Sequence, residues 1–287
     1  MNFILPGFYN HKEMYKKFLN FFYSHKQYFL DNCSIRAIYG NFPYTIWDGG
    51  RTFSSYSHAT QEEIEELIAF YNKEYNIPIR LIFTNSKIEE KHLHDRFSNV
   101  VLELCHNDLN EIVVNSLLLE NYIRNNFPKY KIISSTTKCL ANPKDSKEEL
   151  NKNYEMICFD YNLNKNQNFL NSLNLEEKEK SEILVNAICP PHCPSRKEHY
   201  NLNSYSYLNY GSHYKTRTCG IYKDNLYPDK EKEKNNLSQE ECIEYSKKGF
   251  NNFKLEGRTF SSKTLLLNLV KYMVKPEYQF HVLNQLL

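Results

Sequence analysis

Apolar residues in this chain come in short, nearly continuous runs rather than in strict alternation. Eight runs stand out: Phe3–Leu5, Ile35–Tyr39, Ile79–Thr84, Glu111–Asn115, Lys131–Ser135, Glu155–Phe159, Glu182–Asn186 and Asn252–Leu255. A run that is apolar on both faces suits a strand covered on both sides, as in a parallel sheet. Between the runs the apolar spacing lengthens to three and four residues, the helical period. Lys12 to Phe29 is the longest such segment, and further helices are predicted at Lys91–Leu104, Leu117–Asn126, Lys147–Asn151 and Asn166–Leu173. Thr60 with Glu63, and Ser238 with Glu241, each read as a capping box, where side chains satisfy the free N–H groups of a helix start. The first of these helices runs to about Tyr75. Gly249 ends the second as a C-terminal cap, and Ser262–Val274 forms the last helix before Pro276.

Strict β-then-α alternation leaves a closed barrel or an open doubly wound sheet. Eight units in 287 residues favour a single (β/α)8 barrel of the TIM type, spanning residues 1–287. An open nucleotide-binding sheet would need a glycine-rich first turn, and none of the 8 glycines makes one. One connection breaks the rhythm. Residues 189–237, after the seventh run, are expected as a long irregular loop over the C-terminal face, where such barrels keep their active sites. The charges from Lys230 to Lys234 within it read as a solvated stretch.

Composition narrows the function. The hydrophobic fraction of 41% is modest, but 15% aromatic residues supply enough buried area to exclude a disordered chain. Lys and Arg number 36 against 34 acidic residues, for a net charge of +2. That balance gives no strong nucleic-acid signal, since a dedicated polyanion binder needs a concentrated basic surface. The best apolar stretch, Leu265 to Val274, is interrupted by Asn268 and Lys271, so no membrane span is expected. The N-terminal MNFILPGFYN has no charged leader, and a cytoplasmic location is expected. In that compartment the 8 cysteines are expected as reduced thiols or metal ligands. Cys33, Cys105, Cys139, Cys158 and Cys242 are scattered and read as small core residues.

Candidate chemistry gathers at the strand ends. Asn85, Asn115, Ser135, Asp160, Asn186, Glu256 and Arg258 each follow an apolar run, and a barrel would bring such positions to one mouth. For the neutral residues a simple turn role explains the pattern equally well. Asp160, Glu256 and Arg258 are the candidate catalytic residues, because charges beside packed strands require partners. The sharpest segment is ILVNAICPPHCPSRKEHY, which offers Cys189, His192, Cys193, Arg196 and His199 directly after a strand. A close cysteine pair can anchor zinc or an iron–sulfur cluster, with Cys219 as a third ligand. Free structural thiols, or a cysteine nucleophile assisted by His192 or His199, are the competing readings.

That segment resembles the stretch after the seventh strand in peptidase family U32, where a strand ending in Asn leads to C-x3-C, Arg and His. FNNFKLEGRTFSS is similar to the family's final-strand FKIEGR-type motif. IPIRLIFTNS resembles its third strand, and AIYGNFPYTIWDGGRTF its second strand with the following Arg loop. The matches run in the family's order across most of the chain. The resemblance implies a TIM-like barrel. It also implies oxygen-insertion chemistry on a ring substrate, an RNA base or a quinone precursor, which several members are implicated in. Some of those members carry a 4Fe–4S cluster on four cysteines. Carried over by motif, Cys189 and Cys193 match the close pair, and Glu256 with Arg258 the terminal strand. Cys219, Cys158 and Cys242 compete for the remaining ligand places, with zinc as the alternative metal. The family's glycine-rich cysteine signature is absent, and no cysteine follows the second strand. The expected partners are an RNA substrate or a second protein of the same family. A peptidase, or a non-catalytic partner that docks through the tyrosine-rich loop, are the alternative functions.

Overall fold

In the computed structural model all eight apolar runs become strands, and the strands close on themselves in sequence order, β1-β2-β3-β4-β5-β6-β7-β8, every pair parallel. The structure describes residues 1–51, 57–210 and 234–287. The strands are β1 (Asn2–Pro6), β2 (Ser34–Gly40), β3 (Ile79–Phe83), β4 (Glu111–Val114), β5 (Lys131–Ser134), β6 (Met156–Cys158), β7 (Ser181–Leu184) and β8 (Asn252–Lys254). The architecture is an α/β, TIM-like barrel.

Eleven α-helices are present among the described residues: α1 (Lys12–Ser24), α2 (Gln61–Ile68), α3 (Arg96–Cys105), α4 (Leu117–Asn126), α5 (Pro143–Leu150), α6 (Gln167–Asn171), α7 (Leu175–Glu179), α8 (Arg196–Leu208), α9 (Gln239–Lys247), α10 (Ser262–Met273) and α11 (Gln279–Leu286). Both predicted capping boxes form, at Thr60–Glu63 and Ser238–Glu241. Gly249 adopts φ +98°, the left-handed conformation a C-terminal cap demands and glycine supplies without strain.

The pleat sorts each strand into two faces. Outward residues such as Phe3, Leu5, Leu81, Phe83, Ile112, Val114, Ile183 and Phe253 join the large core between sheet and helices. Inward residues Ile4, Ala37, Tyr39, Ile82, Val113, Ile133 and Met156 form a separate plug inside the barrel. Four charged residues share those inward positions. Arg80 donates from Nε to Glu111 at 2.7 Å and from Nη1 to Glu182, while Lys254 Nζ reaches Glu182 at 2.9 Å. All four are buried. Burial alone would push the Glu182 carboxyl up, but Arg80 and Lys254 outweigh it and hold it down to about 2. A register shift between Phe3 and Ile4 leaves Arg36 unpaired between Ile35 and Ala37, and its guanidinium reaches Glu111 at 3.4 Å and Glu155 at 3.3 Å.

One expectation is corrected. The chain after Cys189 is not irregular throughout, because Arg196–Leu208 forms the 13-residue helix α8. The helical period is hard to see there because the side it buries is largely polar: Arg196, Tyr200, Asn203, Ser204, Ser206 and Tyr207. Those groups are buried against polar strand ends, not against an apolar sheet.

Candidate functional site

Helix α8 lies across the C-terminal mouth of the barrel and is pinned at two points. At its first residue, Arg196 ion-pairs through Nη1 with the Asp160 carboxylate. Its Nη2 donates to the Thr136 carbonyl at 3.2 Å and to Thr136 Oγ1 at 3.0 Å, and its Nε to the Tyr200 hydroxyl at 3.1 Å. The guanidinium also sits 4.2 Å over the Tyr161 ring. One turn after Tyr200, Ser204 Oγ accepts the Ser86 N–H at 3.1 Å, and the Ser204 carbonyl accepts from Asn85 Nδ2 at 3.1 Å. Asp160 thus anchors α8, and its other oxygen accepts from Asn162 N and Nδ2.

The neutral strand-end residues serve the backbone and each other. Asn85 binds the Ile46 and Asp48 carbonyls, and Asn115 donates to Thr137. Asn186 exchanges two bonds with the Glu256 backbone, at 2.6 and 3.0 Å.

Glu256 and Arg258 are brought together with two residues that sequence reasoning did not single out, Asp48 and Arg51. Glu256 Oε1 accepts from Arg51 Nη2 at 2.6 Å, and its Oε2 accepts the Ile188 N–H at 2.8 Å. Arg258 Nη1 donates to Asp48 Oδ2 at 2.8 Å, while Asp48 Oδ1 accepts the Gly49 and Gly50 N–H groups. Burial would raise the Glu256 pKa, but the Arg51 charge and hydrogen bond, the Ile188 N–H and the Arg196 charge together outweigh it and keep the carboxyl below its usual value. The signal for Arg51 in the sequence is its place in the DGGR turn after the second strand, the Arg loop of the AIYGNFPYTIWDGGRTF resemblance. Arg51 and Arg258 line two cavities. One, of about 50 Å³ inside the mouth, also meets Tyr39, Thr84, Tyr200 and Glu256. The other, of about 70 Å³, lies toward Tyr9, Asn41, Tyr44 and Tyr207.

One thiol comes within electrostatic reach of two residues that line the first cavity, Arg51 and Glu256. Cys189 follows the residue whose N–H binds Glu256. Burial, with the Glu256 charge adding to it, pushes its thiol up to about 11 against the opposing pull of Arg51 and Arg196. It is protonated at neutral pH and, as it stands, a poor nucleophile. Cys193 lies close enough to both Cys189 and Cys139 to raise the pKa of each. Cys139, expected as a plain core residue, is half-buried in a left-handed turn (φ +57°) after β5. Cys158 sits elsewhere, on β6 beside Lys254 and Glu182, where burial raises its thiol to about 12. Cys242 is buried in α9. Cys219 lies outside the described residues. Among the described residues no group of three or more His, Cys, Asp or Glu is arranged to hold a metal ion. Cys189 and Cys193 suit a soft metal as a pair, and further ligands would have to come from beyond those residues. Nor, among the described residues, is any helix long and apolar enough to cross a membrane.

No protein-family model and no curated protein sequence matches the chain. The fold does have a counterpart. The structure of the U32 peptidase Mk0906 superposes with a TM-score of 0.53 at 12% sequence identity, over 89% of this chain and 92% of that one. At that identity the likeness is one of fold, and it agrees with the U32-type barrel that the strand motifs imply.

Proposed function

We propose that this chain is a U32-like barrel enzyme that carries out oxidative modification of a ring substrate in the cavity between Arg51, Glu256, Arg258 and Tyr200. In this reading Cys189 and Cys193, with Cys219, hold a 4Fe–4S cluster beside that cavity. The observation that carries it is the coupling of the thiol loop to the site: Ile188 donates to the same Glu256 carboxylate that holds Arg51, and Cys189 lies within reach of both charges. A bound cluster would supply one-electron chemistry there. Arg51, Glu256 and Arg258 would orient the substrate, and α8 would restrict access of water from above. Ring substrates that fit are an RNA base or a quinone precursor.

The test is iron and sulfide analysis with visible absorption on protein prepared without oxygen. Wild type and Cys242→Ala are expected brown, and Cys189→Ala, Cys193→Ala and Cys219→Ala are expected to lose colour and iron together. Colourless, iron-free wild type would overturn the cluster assignment, and stoichiometric zinc would substitute the alternative metal. The likeness to a U32 peptidase supports a second reading, peptide hydrolysis. Cleavage of a peptide by iron-free protein, abolished in Cys193→Ala, would put that reading first.

A further inference from the structure

We propose that a notch at Gly50, on the wall of the mouth cavity, is a subsite for the carboxylate of a small organic monoanion. Three observations converge on it. Thr84, the first residue after β3, is 2% exposed, and its hydroxyl has no hydrogen-bond partner. A buried hydroxyl left unpaired is costly, so a native fold that keeps one at a cavity wall invites a ligand. Gly50 stands opposite. A Cβ there would lie 3.2 Å from Arg258 Nη2 and 3.3 Å from Thr84 Oγ1, tighter than ordinary packing, so glycine keeps that nitrogen and that hydroxyl uncovered toward the gap that the mouth cavity leaves beside them. Arg258 is meanwhile tethered through Nη1 to Asp48, which fixes its fork with Nη2 on the gap side. Two donors thus face one space, and paired donors around a guanidinium are the arrangement that recognises a carboxylate.

The surrounding charges select the kind of anion. The three cations lining the cavity, Arg51, Lys254 and Arg258, each face a carboxylate of the chain: Glu256, Glu182 and Asp48. Little positive charge is left over, so a dianion such as phosphate would meet Glu256 and Asp48 uncompensated. A monoanion that gains its binding from directed hydrogen bonds suits the site better. Ile82, Val113 and Leu184 line the same cavity and offer an apolar surface to the rest of the molecule. The subsite deepens the proposed function by naming a substrate class for that cavity, but its occupancy does not require the cluster.

The test uses the full chain and measures binding, with iron content recorded on the same samples. Acetate, propionate and benzoate, their uncharged amides, and inorganic phosphate are titrated by calorimetry and by shift of the melting temperature. At least one carboxylate is expected to bind and raise the melting temperature, with its amide at least about tenfold weaker. Thr84→Val removes one hydrogen bond to a charged group and should weaken that carboxylate by roughly tenfold or more. Gly50→Ala, which fills the notch, should do the same. Free Thr84→Val should melt no lower than wild type, because the hydroxyl it loses has no partner to lose. Equal carboxylate affinity in wild type and Thr84→Val, binding of phosphate alone, no binding by any carboxylate in the millimolar range, or a lowered melting point of free Thr84→Val would each overturn the subsite. Iron-free protein that binds carboxylate fails only the cluster reading, and iron-loaded protein indifferent to carboxylate fails only this one.

Discussion

The two ends of the barrel interior treat charge differently. Deep inside, Arg80, Glu111, Glu182 and Lys254 form a closed network in which each charge meets an opposite one at close range. At the mouth the pairs are as short but less enclosed: Arg51 is about a fifth exposed, a cavity lies beside the side chains, and Thr84 has a hydroxyl to spare. Both regions draw on β3 and β8, the mouth using residues just past those strands together with Asp48 and Arg51 from the turn after β2. A satisfied buried network adds little net stability over an apolar core, but it makes every member indispensable, since removing one partner strands the other. A site that is to receive a ligand must instead leave donors unspent. The difference is the one that the proposed site at the mouth requires.

The sharpest way to break the comparison is to neutralise equivalent carboxylates at the two levels. Glu182→Gln leaves Lys254 buried without a counter-charge and Arg80 with Glu111 alone, and is expected to cost about 3–5 kcal/mol in a urea melt. A loss under about 1 kcal/mol would show that water reaches the network and that the contrast with the mouth is false.

Acid offers a second probe. Glu182 and Glu149 have folded-state pKa values held down to about 2, below an ordinary value of 4.5, the latter against its burial by bonds from Lys138, Lys152 and Ser134. Because the folded pKa is depressed, each carboxylate contributes its full stability above pH 4.5 and loses it as the pH falls toward 2. For a shift of this size the loss is on the order of 3 kcal/mol per group. The melting temperature should hold steady from pH 7 to about 5 and fall steeply below 4.5. Glu149→Gln should flatten that fall, and an unchanged slope would contradict the pairing.

At the mouth the corresponding change should matter less. Glu256→Gln can keep an acceptor for the Ile188 N–H, and Arg51 can turn toward water, so we expect a cost of about 1–2 kcal/mol. A cost matching that of Glu182→Gln would erase the distinction between the two levels.

How far this was legible in the sequence depends on what each residue packs against. The strands were readable because Ile79–Phe83 or Glu111–Val114 bury both faces whatever the rest of the chain does, and helix starts at Thr60 and Ser238 carry their own capping chemistry within four residues. The charges within the runs, Arg80, Glu182 and Lys254, were visible, but nothing local shows that they point at one another. Helix α8 was missed because its buried face is polar, and that makes sense only once the strand ends it covers are known. Cys139 was read as core because its approach to Cys193 spans two separate barrel units. Asp48 and Arg258 are 210 residues apart, and their pairing exists only because β1 joins β2 to β8 in a closed ring.

The sequence by itself therefore determined the barrel, its strand order and the cysteine pair after β7, since these follow from short-range periodicity and spacing. Only the tertiary structure decided which polar residues meet. Closing the sheet brings distant strand ends within hydrogen-bond range, where Coulomb attraction and the cost of leaving a buried polar group unpaired select the partners.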